Sequence, residues 1–116
     1  MSDAIPNEIL ELVAVKFKLL GDPTRLAIVR ALMKGGEMNV GALVTATGRG
    51  QTSVSKHLKQ LSRAGMLGRR KEGLQVYYRL TDPVVEQLCR LACDSIIRTA
   101  EEQLRERGEP REGAGS

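Results

Sequence analysis

The sequence predicts a mainly α-helical, winged helix-turn-helix fold with a two-stranded β wing, and three observations carry that expectation. Apolar residues recur at helical spacing through most of the 116-residue chain. Two short helical stretches are separated only by Arg49 and Gly50, and the second of them carries a polar, basic face. After Gly65 the pattern changes to strict alternation, and β-branched and aromatic residues gather there.

In chain order, residues 5–20 place Ile9, Leu12, Val13, Phe17 and Leu20 on one helical face, and Gly21 interrupts it. Asp22 and Pro23 form an N-cap followed by a first-turn proline. They open a second helix through Leu26, Val29 and Met33 that stops at Gly35-Gly36. Asn39 is positioned to cap a short third helix with Val40, Leu43 and Val44, which Gly48 ends. In the fourth, Val54, Leu58 and Leu61 make an apolar stripe, while Thr52, Ser55, Lys56, Lys59 and Arg63 fall on the other side and Gly65 terminates the helix. Leu74, Val76, Tyr78 and Leu80 alternate with Gln75, Tyr77 and Arg79, which predicts a strand. Its partner is expected at residues 67–71, with Glu72-Gly73 at the hairpin tip. Asp82-Pro83 repeats the helix-start signature, and a last helix runs through Val85, Leu88, Leu91, Ala92, Ile96 and Ile97 toward Leu104.

The length suits one domain, expected over residues 1–107, and residues 108–116, which lack any large apolar side chain, are expected to form a disordered tail. Tryptophan is absent and aromatics make up 3%, so the core must come from Leu, Val, Ile, Ala and Met. Such a chain commonly buries helix faces in a homodimer. No apolar run approaches the roughly 20 residues needed to span a membrane. The amino terminus lacks the charged-then-apolar layout of a secretory signal, so a cytoplasmic protein is expected, with Cys89 and Cys93 as free thiols.

Charge is distributed unevenly. Between Arg49 and Glu72, seven basic residues face one acidic residue, so the segment carries +6 of a net +4 and the remainder sums to −2. This is the electrostatic footprint of a nucleic-acid surface. Gln51, Thr52 and Ser53 lie at the helix start, where short polar side chains reach base edges, and Lys56 and Lys59 follow where cations pair with phosphates. A winged-helix module docking an acidic protein partner is the competing reading. No His-carboxylate constellation or phosphate-cradling glycine loop points to an enzyme.

The motifs Leu20-Gly21-Asp22-Pro23-Thr24-Arg25-Leu26, Gln51-Thr52-Ser53-Val54-Ser55-Lys56-His57-Leu58, Ala64-Gly65-Met66-Leu67 and Gly73-Leu74-Gln75-Val76-Tyr77-Tyr78 together resemble the ArsR/SmtB family of repressors. The resemblance implies a winged-helix homodimer formed through the first and last helices, bound to a palindromic, inverted-repeat operator in double-stranded DNA and released by an effector. By position, it places Gln51, Thr52, Ser53, Ser55, Lys56 and His57 at the groove and phosphates, with Arg69, Arg70 and Lys71 in the wing. Gly50 stands where many relatives have a serine N-cap. As the sole histidine, His57 cannot build a His-rich metal site, and a DNA-facing or hydrogen-bonded role is expected for it.

The family's familiar metal sites fail by position. Asn39, Val40, Gly41 and Ala42 replace the Cys-Val-Cys-Asp core of the third helix. Asp82, Val84, Ser95 and Arg98 stand where zinc-sensing branches place Asp, His, His and Glu. No cofactor is therefore expected apart from a soft metal or metalloid ion at Cys89 and Cys93, which lie at i and i+4 on one helical face. Cys93 also aligns with the distal cysteine of the family's sulfide-responsive branch, whose second cysteine aligns near Arg30. The competing reading makes both thiols small apolar packing residues.

Overall fold

The computed structural model describes residues 5–108 and contains five helices and a three-stranded antiparallel sheet. Helix α1 spans Asn7–Leu20, α2 Pro23–Gly35, α3 Val40–Thr47 and α4 Gln51–Arg63. Strands β1, β2 and β3 are Met38–Asn39, Leu67–Glu72 and Gln75–Leu80, and the final helix α5 is Pro83–Glu106. Within the span expected as one domain, the described residues form two compact units that divide between Pro83 and Val84.

Local chemistry sets the helix ends of the first unit. Asp22 Oδ1 accepts from the backbone N–H groups of Thr24 (2.8 Å) and Arg25 (3.0 Å), satisfying two of the orphan donors at the start of α2. Asn39 Oδ1 does the same for Ala42 N–H at 2.8 Å, opening α3. Gly48 closes α3 in the left-handed region at φ +69°, a conformation that costs a glycine least, and only Arg49 and Gly50 remain before α4.

The core lies where α2, α3, α4 and the start of β2 meet. Ile28, Val29, Leu43, Val54, Leu58, Leu61 and Met66 are fully buried there. The Val54-Leu58-Leu61 stripe thus covers one face of α4 and leaves its opposite face to solvent.

Two expectations need correction. The sheet is not two-stranded, because Met38–Asn39 adds a third strand in the order β1-β3-β2, pairing Met38 with Tyr78 and Asn39 with Tyr77. A two-residue strand is too short to show alternation, and Asn39 reads more strongly as a helix cap. Leu74 does not belong to the alternating strand either. The β2–β3 register runs from Leu67 opposite Leu80 to Glu72 opposite Gln75, so Gly73 and Leu74 form the two-residue loop. Gly73 takes φ +60° at the first loop position, as tight hairpins of the II′ kind require, and Leu74 is left 99% exposed. Of the expected disordered tail, only Gly108 lies within the described residues.

Candidate nucleic-acid interface

The exposed side of α4 and the wing belong to the same compact unit. Gln51, Thr52, Lys56, Lys59 and Arg63 of α4 are exposed, and Ser53 and Ser55 are half-buried. Because the opposite side is fixed by Val54, Leu58 and Leu61, the direction in which these polar groups point is set by core packing. Helix α4 starts at Gly50 without a side-chain cap, so no cap competes with a ligand for its first N–H groups. Ordinary groove chemistry needs such a surface: short hydrogen-bonding groups at the helix start, with cations farther along.

The three basic residues of the wing differ from one another. Arg69 and Lys71 are exposed. Arg70 is held by two carboxylates: its guanidinium donates to Glu37 (2.7 and 3.0 Å) and to Glu72 (2.5 Å), and it lies 4.7 Å from the Tyr77 ring centroid. The hydrogen bond from Arg70 holds the Glu37 carboxyl below its ordinary range, and hydrogen bonds to Glu37 and then Glu72 push the Arg70 pKa upward. A phosphate would therefore have to displace carboxylates to engage Arg70 fully, whereas Arg69 and Lys71 present uncommitted charge.

His57 points inward. Its side chain is 12% exposed, its Nδ1 accepts a hydrogen bond from Arg25 Nε at 3.1 Å, and its Nε2 lies 4.0 Å from Asp22 Oδ1. Arg25 also donates to Gln60 Oε1 on α4 and to the Leu19 carbonyl at the end of α1, the latter at 3.3 Å. Arg49 Nε donates to Thr24 Oγ1 at 3.2 Å. The sequence offered no local signal for the side-chain to side-chain bonds of this bracket, because their partners are 25 to 35 residues apart.

Cys89 and Cys93 both lie on α5. Cys89 is buried and Cys93 exposed, and both are free thiols. Burial, with a smaller contribution from Cys93, pushes the Cys89 pKa up, so that thiol is less ionised than an ordinary one. Among the described residues no group of three or more His, Cys, Asp and Glu side chains is placed to hold a metal ion. No helix among them is long and apolar enough to cross a membrane.

A helix-turn-helix domain family matches residues 20–69, which run from the end of α1 into the wing. The arsenic resistance transcriptional regulator of Pseudomonas putida is 36% identical over 90 residues, covering 78% of this chain and 70% of that protein. The antimony-specific transcriptional repressor AntR superposes with a TM-score of 0.79 at 32% identity, over 87% of this chain and 90% of that one. A homodimeric winged helix-turn-helix DNA-binding domain from Mycobacterium bovis superposes with a TM-score of 0.67 at 33% identity, over 90% of this chain and 94% of that one.

Proposed function

The chain belongs to the ArsR/SmtB family of helix-turn-helix repressors, and from that premise we propose that it binds an inverted-repeat operator as a homodimer, reading it with α4 and the wing. Transcriptional repression through DNA is the activity of the family; the operator symmetry and the contact residues are the proposal. The observation that carries it is the settled two-sidedness of α4, with one face wholly consumed by the core and the other exposed, polar and basic beside an exposed basic wing.

In this reading Gln51, Thr52, Ser53 and Ser55 meet base edges, while Lys56, Lys59, Arg69 and Lys71 meet phosphates. Arg70 joins them by exchanging carboxylate for phosphate, while His57, turned inward, acts on the position of the helix and not on DNA directly. The second copy is supported by the apolar faces left uncovered on α1 (Ile9, Leu12, Val13 and Phe17) and on α5 (Leu91, Ile96 and Ile97). It is supported as well by the homodimeric winged-helix relative. A two-fold dimer repeats the recognition helix about one DNA turn away, which demands a palindromic site.

The test is gel-shift titration of Lys56→Ala and Lys71→Ala over a range of salt. Each substitution is expected to weaken binding across sequences and to reduce the salt slope by about one. Unchanged affinity and slope in both variants would favour an acidic protein partner instead.

For the effector, the reading is a trivalent, thiophilic metalloid ion captured by Cys89 and Cys93, supported by their one-turn spacing and by the arsenic- and antimony-named relatives. Each thiol would pass its proton to a departing hydroxide, which leaves as water when the sulfur–metalloid bond forms, with no change of oxidation state. Intact-mass measurement after arsenite, a persulfide donor or a peroxide, paired with DNA binding, decides the matter. If a Cys89→Ser/Cys93→Ser variant responds as the native protein does to every reagent, the thiols only pack.

A further inference from the structure

We propose that Arg25 is the positioning residue of the recognition helix: one guanidinium clamps the inner edge of α4 to the ends of α1 and α2 and so sets how α4 is presented to DNA. The inference rests on α4 being the DNA-facing helix and adds what holds it in place. Arg25 sits in the first turn of α2 and spends all three of its nitrogens within the unit. Nε goes to His57 Nδ1 (3.1 Å), one terminal nitrogen to Gln60 Oε1, and the other to the Leu19 carbonyl (3.3 Å). His57 and Gln60 are three residues apart on α4, so the fork grips one side of that helix at two consecutive turns. The Leu19 carbonyl is one of the last in α1 and has no partner within its own helix, so the same residue closes the end of a third element.

The clamp dictates the chemistry of His57. Arginine has only donors, so Nδ1 must accept and the imidazole proton must reside on Nε2, facing Asp22 Oδ1 at 4.0 Å. Asp22 in turn caps the turn of α2 that carries Arg25. The apolar stripe of α4 sets its depth in the core and turns its polar face outward, and the fork adds a hydrogen-bonded constraint on rotation and slide. A planar fork on two side chains resists both, which suits a helix whose outer groups must meet base edges within a few tenths of an ångström.

The experiment compares Arg25→Gln, His57→Phe and His57→Asn in the full chain, with Lys56→Ala alongside. Asparagine places an acceptor close to the position of imidazole Nδ1, whereas phenylalanine keeps the ring and removes the acceptor. Arg25→Gln and His57→Phe should each weaken operator binding about tenfold with an unchanged salt slope, because neither removed group touches a phosphate. His57→Asn should restore most of the loss, and the Arg25→Gln/His57→Phe double variant should be no worse than the weaker single one. Nitrogen chemical shifts of His57 should report the Nε2–H tautomer in the native protein and a mixture in Arg25→Gln, a readout that needs no DNA and that a generally loosened fold would not give.

A salt slope lowered by about one in Arg25→Gln would put Arg25 on a phosphate and overturn the proposal. Strictly additive losses, or native affinity in His57→Phe, would overturn it too. Should Arg25→Gln fail to fold, the His57 pair decides alone. If Lys56→Ala also leaves binding intact, the DNA-facing assignment of α4 fails and the clamp's role fails with it. If only Lys56→Ala weakens binding, the clamp alone is wrong.

Discussion

Helices α4 and α5 are both amphipathic, yet the chain treats them in opposite ways. Over 13 residues α4 buries Val54, Leu58 and Leu61 completely, and its His57 and Gln60 side chains find a partner in Arg25 of α2. Over 24 residues α5 buries only Val85 and Cys89, and leaves Leu91 68% and Ile96 70% exposed. Helix α1 resembles α5, with Leu20 alone buried and Phe17 57% exposed. An apolar helix face is evidence of burial, but the burying surface can belong to the same chain or to another one. The difference separates a region that one chain completes from regions that a second copy is proposed to complete.

The comparison can be broken most forcefully at the core. Leu58→Ala should lower the unfolding free energy by about 2–5 kcal/mol in denaturant melts. Substituting a buried α4 residue should act this way at every protein concentration. By contrast, Leu91→Asp or Ile96→Asp should leave the secondary structure intact, shift sedimentation toward the monomer, and weaken or abolish the concentration dependence of the melting temperature that the native dimer shows. If both helices respond alike, the distinction between them is wrong.

A smaller effect separates the two thiols. Cys93, exposed, should react with an alkylating agent about tenfold faster than Cys89, which burial keeps protonated and shielded, and mass spectrometry of the peptide containing each would show it. Equal rates would mean that Cys89 is not shielded in solution.

The smallest expected effect is the response of the α2 cap to acid. The backbone N–H of Arg25, then the nearby His57 and the N–H of Thr24, hold the Asp22 carboxyl below its ordinary range. Because the folded-state pKa is the depressed one, this stabilisation is present above the unfolded value and lost as the pH falls through the folded value. Asp22→Asn should therefore flatten the acid limb of the pH–stability curve by a modest amount, lowering stability somewhat at neutral pH and leaving it nearly unchanged at low pH. An identical acid limb in the variant would remove Asp22 from the account.

Much of this arrangement was legible because it is local. The Asp22 and Asn39 caps, the Gly48 stop and the Val54-Leu58-Leu61 stripe each depend on residues within a few positions, and all stand where the sequence places them. The wing was legible as alternation, but its tip shifted by one residue, because a II′ turn needs glycine at its first loop position and that moved Leu74 out of the strand. The strand at Met38–Asn39 was invisible because its only signal is its partner, Tyr77-Tyr78, nearly 40 residues away. The same holds for the salt bridge of Arg70 to Glu37, which changes a wing cation from free to committed.

By itself, the sequence determined which segments are helices, where they start and stop, and that a basic, hydroxyl-rich helix followed by a basic hairpin lies in the middle of the chain. Those properties follow from backbone geometry and side-chain chemistry over one or two turns. Only the tertiary structure decided which polar groups on that helix remain available. Packing turned His57 and Gln60 inward onto Arg25 and bound Arg70 to Glu37, while Lys56, Lys59, Arg69 and Lys71 stayed exposed. The reason is physical: hydrogen bonds between distant segments form only after the apolar stripe has brought them together, and no local pattern specifies where they meet.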